Sequence, residues 1–332
     1  MPYEGKVIHA AMEALRSEEL RHRGEFDRRR MKLYRQCPRL QEIDRLLSKT
    51  VRDASMTALQ QGVDPMPALE RARRENQSLQ QERGILLTEM GCAPDALTYR
   101  PLCPLCNDRG WIGSEMCQCL RQRCAREQIK ALSSMLNLGD QSFDTFDLSY
   151  YSQLYDATIS TSPRRQMELV LDVCYAFADK FGRGRMENLF LTGAPGLGKT
   201  FLSAAIARVV SEKGYSVVYD SAVNVFSRFE ADKFSRDAEA AADVNRYLTC
   251  DLMILDDLGS EMNSPMVQAS LYQLVNTRLL NQRKTVISSN LSLNDISARY
   301  APQIASRLSG DYTPLFFYGE DIRQQKRARY GR

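Results

Sequence analysis

Apolar positions recur along this chain with two different periods, and the change of period divides it. Over residues 6 to 60 they step by three or four, so that Ile43, Leu46, Leu47, Val51, Ala54 and Ala58 would share one face of a helix. Gly62 and the run Asp64-Pro65-Met66-Pro67 break that pattern. A second helical stretch follows, with Ala72, Leu79 and Leu86 seven apart, Met90 one turn further, and Gly91 placed as its C-terminal cap. The plain expectation is a helical hairpin that buries its own stripe. A sharper one is that part of the stripe docks a partner protein.

From about Met167 the pattern changes to a helix, the apolar strand Asn188 to Thr192, and a glycine loop. Strands and helices then alternate, with strands expected at Ser216 to Asp220, Leu252 to Asp256, Lys284 to Ser288 and Pro314 to Tyr318. Such alternation predicts an α/β fold with a mostly parallel sheet covered on both faces. The expected organisation is a helical N-terminal region (1–100), a cysteine knuckle (101–125), a linker (126–165) and an α/β domain (166–332). The linker carries QSFDTFDLSYY, rich in aromatics but without a clean period.

Composition narrows this only a little. The 332 residues are 43% hydrophobic and 26% charged, which is ordinary for a globular protein, and a net charge of +4 does not demand nucleic acid as a partner. A local basic surface is compatible with it. The N-terminus has no basic segment followed by an apolar one, and no stretch approaches the ~20 apolar residues that cross a bilayer, so no membrane partner is expected. Of nine cysteines, five fall between Cys103 and Cys124. Clustered cysteines of this kind fit the reducing cytosol, where they more often bind metal than pair.

The glycine loop is Gly193-Ala194-Pro195-Gly196-Leu197-Gly198-Lys199-Thr200, which fits G-x-x-x-x-G-K-[ST] at every fixed position. A strand precedes it and a helix opening at Phe201 follows it. This spacing lets successive N–H groups point at phosphate oxygens, takes Lys199 to the β- and γ-phosphates of ATP, and gives Thr200 to Mg²⁺. Asp251-Leu-Met-Ile-Leu-Asp256-Asp257 is an apolar strand ending in acids. Asp256 is the expected Mg²⁺ partner and Asp257 the expected general base, with Glu261 as a rival base. The guanine-specific element N-K-x-D has no match at Asn281-Gln-Arg-Lys. Lys284 to Asn290 instead reads as a strand ending in a polar residue, which would aim Asn290 at the γ-phosphate or the attacking water, the AAA+ "sensor 1" position. Arg307, in Ile304-Ala-Ser-Arg307-Leu, has the place of an arginine finger serving a neighbour's site, and Arg323 that of a sensor-2 arginine.

Cys103-Pro-Leu-Cys106 and Cys117-Gln-Cys119 flank a turn containing Gly110 and Gly113. Four thiolates so spaced can close around one Zn²⁺. An iron–sulfur cluster and unligated thiols are the alternatives, and Cys124 is close enough to replace Cys117 or Cys119. The two histidines, His9 and His22, are far away in sequence.

Taken in order, CPLCNDRGWIGSEMCQC, FDTFDLSYY, GAPGLGKT, LMILDDLGSE, TVISSNLSL and IASRL resemble the DnaC/DnaI-type replicative helicase loaders, especially DnaC-like ATP-binding proteins of Firmicutes and their phages. The resemblance runs from about residue 101 to the end; residues 1 to 100 match only in being helical. It implies an AAA+ core without a three-helix lid. It also implies an N-terminal region that grips a DnaB-type helicase, a response to ATP and single-stranded DNA, and self-association in the ATP state. Phe226, Arg228, Phe229, Lys233 and Phe234 are candidate single-strand contacts, and a core helix with a solvated face explains them equally well. An IstB-like ATPase assisting a transposase, and a nucleotide-switched AAA+ adaptor with little hydrolysis, are the competing readings.

Overall fold

In the computed structural model, residues 3–48, 66–135, 141–184, 186–235 and 237–330 are described. The chain divides into two compact units, Glu13–Cys117 and Met1–Met12 with Gln118–Arg332.

The expected long N-terminal helix is broken. Helix α1 (Gly5–Gln36) stops at Cys37, and a separate helical stretch covers residues 38–48. Pro38 is the cause: its missing N–H and its ring are incompatible with a helix interior but suit a first helical position. Val51, Ala54, Ala58, Gly62, Asp64 and Pro65 lie outside the described residues, as does the side chain of Ala72. Helix α2 (Met66–Glu89) ends as expected at Gly91, whose φ is +73°. The Gly91 N–H meets Thr88 O at 2.9 Å and the Cys92 N–H meets Leu87 O at 2.8 Å, which satisfies the last carbonyls. The hairpin expectation holds in outline: Leu40, Leu87 and Leu97 form a small core. Arg39–Glu82 (2.7 Å) and Arg83–Asp44 (3.0 Å) tie residues 38–48 to α2. Within the predicted stripe Ile43 is buried, but Leu46 is exposed.

A two-stranded ribbon, β1 (Trp111–Ile112) and β2 (Glu115–Met116), forms the cysteine turn and was not evident from periodicity. Helix α3 (Gln118–Met135) opens the Gln118–Arg332 part of the other unit. Its buried Gln128 donates to Ser211 Oγ (2.7 Å) and accepts from the Val217 N–H (3.0 Å), which fixes α3 to the sheet edge. Helix α4 (Pro163–Lys180) starts at the cap Ser162, whose side chain accepts from the Arg165 N–H.

Five parallel strands follow, in the spatial order β4-β5-β6-β3-β7. They are β3 (Asn188–Gly193), β4 (Val217–Ser221), β5 (Leu252–Leu258), β6 (Lys284–Ser289) and β7 (Tyr312–Phe317). All five expected strands are present; β5 runs on to Leu258, and β7 starts two residues before Pro314. Alternate residues feed two cores. Leu189, Leu191, Leu252 and Ile254 pack under α4 and α5 (Lys199–Glu212). Phe190, Met253, Leu255 and Ile287 pack under α6 (Ala222–Ser235), α7 (Ala238–Thr249) and α8 (Pro265–Leu280). Helices α9 (Leu293–Arg299) and α10 (Pro302–Asp311) add Ile296, Ile304 and Leu308 to this second core, and α11 (Ile322–Tyr330) follows β7. Among the described residues no helix is long and apolar enough to cross a membrane. The carboxyl ends of all five strands lie along one edge of the sheet, where ligands bind in such folds.

Candidate nucleotide site

The loop between β3 and α5 adopts the backbone its glycines permit. Gly196 and Gly198 sit at φ +78° and +90°. A Cβ at Gly198 would stand 3.1 Å from the Phe146 ring and 3.2 Å from the Tyr151 hydroxyl, and one at Gly196 would strike the Asp321 carboxylate. A side chain is therefore strained at both positions by conformation, and could be added only if Asp321 or the Phe146 ring gave way.

Lys199, the first residue of α5, is buried. Its ammonium donates to Gly193 O (2.5 Å), Ala194 O (2.8 Å) and Asn290 Oδ1 (2.7 Å). Burial pushes its pKa down to about 8; Asp257 and Asp256 draw it back up, and Arg323 pushes it further down. The Thr200 hydroxyl donates to Asp256 Oδ2 at 3.1 Å, and Tyr219 OH donates to the same oxygen at 2.7 Å. Ser288 Oγ donates to the other oxygen, Asp256 Oδ1. A hydroxyl and a carboxylate side by side at a phosphate-binding loop are the hard oxygen ligands that Mg²⁺ takes, so the residues present fit that ion.

Asp257 faces the same cleft for a reason periodicity does not reveal. Neighbouring residues of a strand point to opposite faces. Here the register slips, with Leu255 opposite Ile287 but Leu258 opposite Ser289, and Asp257 takes a left-handed φ of +57°. Three residues of β5 thus oppose two of β6, a bulge that turns both carboxylates to one side. Asp257 Oδ1 then accepts from Asn290 Nδ2 at 3.0 Å, completing a chain Lys199–Asn290–Asp257.

These groups line a cleft of about 530 Å³ together with Pro195 to Phe201. Its remaining walls come from two elements, of whose residues only Arg323 was expected at the site. One is the linker, which contributes Gln141, Thr145, Phe146, Asp147 and Tyr150; the other is α11, with Ile322, Arg323 and Lys326. Phe146 stacks on Tyr151 at 5.9 Å and meets Phe201 edge-on at 5.4 Å. The buried Tyr151 hydroxyl donates to Leu197 O at 2.9 Å, pinning the linker to the phosphate loop. Helix α11 is tied in by the Ile322 N–H to Gly196 O (3.1 Å) and by Lys326 and Arg329 over the Tyr150 ring. The aromatic richness of FDTFDLSYY was the available signal for the linker wall.

Of the other expected residues, Arg323 lines the cleft and Arg307 does not. The Arg307 guanidinium lies over the Tyr272 ring at 5.5 Å on α10. Glu261 is corrected as a rival base. It is buried outside the cleft lining, accepts from the Gly259 N–H (2.9 Å) and Tyr300 OH, and pairs with Arg299 at 3.5 Å. For the candidate single-strand contacts, the alternative of a core helix with a solvated face is the one that α6 shows. Phe226 and Phe229 are core residues, and Arg228 is paired with Asp243 at 3.2 Å; Lys233 and Phe234 remain at the surface.

In the cysteine turn, the sulfurs of Cys103, Cys106, Cys117 and Cys119 all lie within 4.8 Å of one another, with Cys103 and Cys117 at 3.7 Å. Four thiolates at Zn–S distances near 2.3 Å would stand roughly 3.8 Å apart, so the set fits a tetrahedral Zn²⁺. The Gly110 N–H donates to Cys106 Sγ at 3.3 Å. Asp108 accepts from the Leu102 and Cys103 N–H groups at 3.0 and 2.7 Å, which orients the ligand turn. Cys124 is not in the set: it is buried on α3, and burial pushes its thiol up to about 11.

Residues 176–307 match the family model of the IstB-like ATP binding proteins. The chromosomal replication initiator DnaA of Rickettsia bellii (strain RML369-C) is 30% identical over 185 residues, which cover 54% of this chain and 38% of the initiator. The chain thus spans well under half the length of that relative. Among solved structures, a DnaC helicase loader is 20% identical with a TM-score of 0.45, the alignment covering 54% of this chain and 97% of that one. DnaI is 20% identical at a TM-score of 0.44, over 57% and 92% of the two chains.

Proposed function

We propose that this chain, whose ATP-binding domain is of the IstB/DnaC-like AAA+ type, loads a replicative DnaB-type helicase onto single-stranded DNA in an ATP-dependent manner. The observation that carries this reading is the linker folded onto the phosphate loop, with Tyr151 bonded to Leu197 and Phe146 against Phe201. The segment that follows the cysteine turn thus forms a wall of the ATP cleft, and a nucleotide arriving there bears directly on the tether of the N-terminal region.

In this reading the loop amides and the N-terminus of α5 hold the phosphates. Lys199 exchanges its carbonyl partners for β- and γ-phosphate oxygens. Thr200 and Asp256 hold Mg²⁺, which when bound neutralises charge on the phosphates. Asp257 accepts a proton from the attacking water, and Asn290 orients that water against the γ-phosphate. Arg307 projects to a neighbouring subunit's site and Arg323 senses the γ-phosphate in its own. Hydrolysis is slow in the isolated chain and rises on assembly or with DNA. Cys103, Cys106, Cys117 and Cys119 hold a structural Zn²⁺ that keeps a stretch poor in apolar residues folded, as a closed site in the reducing cytosol. Lys233 and Phe234 are what remains of the single-strand contact surface.

The IstB-like family match favours a second reading, an ATPase assisting a transposase. The cysteine turn lies outside the matched residues and weighs toward the loader. Light scattering after gel filtration of the full chain mixed with its host's DnaB-type helicase and ATP tests the proposal. A stable complex that requires ATP supports it. ATP and zinc bound without any complex would overturn it in favour of the transposition helper.

A further inference from the structure

The carboxylates Asp256 and Asp257 do different work only if one strand bulge keeps them apart while both face the cleft, and one hydroxyl sits inside that bulge. Ser288 is almost wholly buried on β6. Its oxygen accepts from the Asp257 N–H at 3.0 Å, and its proton goes to Asp256 Oδ1. The register slip between Leu255 and Leu258 takes the Asp257 N–H out of the regular ladder. A half-buried N–H that lacks its ladder partner needs another acceptor, and Ser288 supplies it. The same side chain, with Tyr219 on the other oxygen, sets the rotation of the Asp256 carboxylate.

We propose that Ser288 is the positioning residue of this site: one hydroxyl holds Asp257 in its left-handed backbone and turns Asp256 toward the metal position. This rests on the nucleotide-site reading above and adds a residue to it. Ser288 touches neither phosphate nor water in this role; it acts through the two acids. Without it, Asp256 loses a donor to a charged acceptor, and the bulge loses the bond that favours a conformation L-residues avoid. The other hydroxyl beside it, Ser289, bonds Leu258 O and the Leu291 N–H and reaches neither acid.

The test uses the full chain with ADP or ATP, and Mn²⁺ as the probe ion, followed by its paramagnetic resonance signal. Ser288→Ala should bind nucleotide in EDTA within about twofold of the unaltered protein. Its Mn²⁺ affinity in the nucleotide complex should be weaker by roughly tenfold or more. With saturating ATP and metal, kcat should fall while KM changes little. Ser288→Thr, which keeps the hydroxyl, should restore Mn²⁺ affinity to within about threefold. If Ser288→Ala does not fold, Ser288→Cys carries the same expectation, being close in volume with a much weaker donor. Unaltered protein that binds metal-dependently, alongside variants that match it, overturns the positioning role alone. Unaltered protein that binds no nucleotide, with or without metal, overturns the site reading and this inference together.

Discussion

Lys199 and Asn290 meet across the cleft: the ammonium donates to Asn290 Oδ1 at 2.7 Å, and the same amide donates onward to Asp257 at 3.0 Å. The lysine therefore holds three neutral acceptors where the proposed function gives it phosphates, and burial weakens its hold on the proton. Polyphosphate raises that affinity again. At pH 8, ATP binding should be accompanied by uptake of up to roughly half a proton, seen as a dependence of the calorimetric enthalpy on the buffer. Lys199→Ala should lose tight ATP binding and the proton uptake together.

The same shift gives a stability trend. The unfolded lysine titrates near 10.5 and the folded one near 8, so between these values the unfolded chain binds the extra proton. Stability of the nucleotide-free protein should rise with pH across that window relative to Lys199→Met. Melting curves from pH 7 to 10.5 measure it, and identical slopes for the two proteins would contradict the buried charge.

Asp257→Asn keeps a residue type that tolerates positive φ and removes the base. Bound ATP should persist, with turnover lower by about 10²-fold or more. Glu261→Gln should do the opposite. It weakens the buried contacts to Tyr300 and Arg299 and lowers stability by about 1–3 kcal/mol, with turnover per folded molecule preserved. Single-turnover hydrolysis and thermal unfolding separate the two.

Metal content distinguishes the cysteines. Cys103→Ser should reduce bound zinc to a small fraction of one equivalent and loosen the turn around Trp111. Cys124→Ser, which changes a buried thiol outside the cluster, should leave zinc in place. Equal loss in both would return Cys124 to the ligand set.

Phe146→Ala removes the ring that joins Tyr151 to Phe201. ATP affinity should drop by about three- to tenfold, while inorganic tripolyphosphate binding stays unchanged. Phe146 lines the cleft, and a matching loss for tripolyphosphate would show that its ring supports the phosphate loop rather than the adenosine part of ATP.

What the sequence determined by itself is local. Gly193 to Thr200 specifies its own backbone, because glycine spacing and a helix start are encoded within eight neighbouring residues. The unbroken apolar run Leu189-Phe190-Leu191 was enough to foretell a strand covered on both faces. The apolar period alone carried the first helix straight through Pro38, although proline's missing donor, a property of that residue alone, marks the break. Gly91 was legible as a helix end for a similar reason.

Tertiary structure decided whatever depends on residues distant in the chain. Phe226 and Phe229 share a surface-like motif with Lys233, yet only the packing of α6 against β5 and α8 makes them core. Cys117 and Cys119, rather than Cys124, complete the cysteine set because the ribbon β1–β2 brings them back to Cys103. Tyr151 reaches Leu197, 46 residues away, only once the linker folds over the loop. The joint orientation of Asp256 and Asp257 is the clearest case. Strand alternation alone would point them apart, and a one-residue slip against β6, held by Ser288, turns them the same way. A periodic pattern specifies which face a residue takes in a regular element; where the element departs from regularity, the partner strand sets the direction.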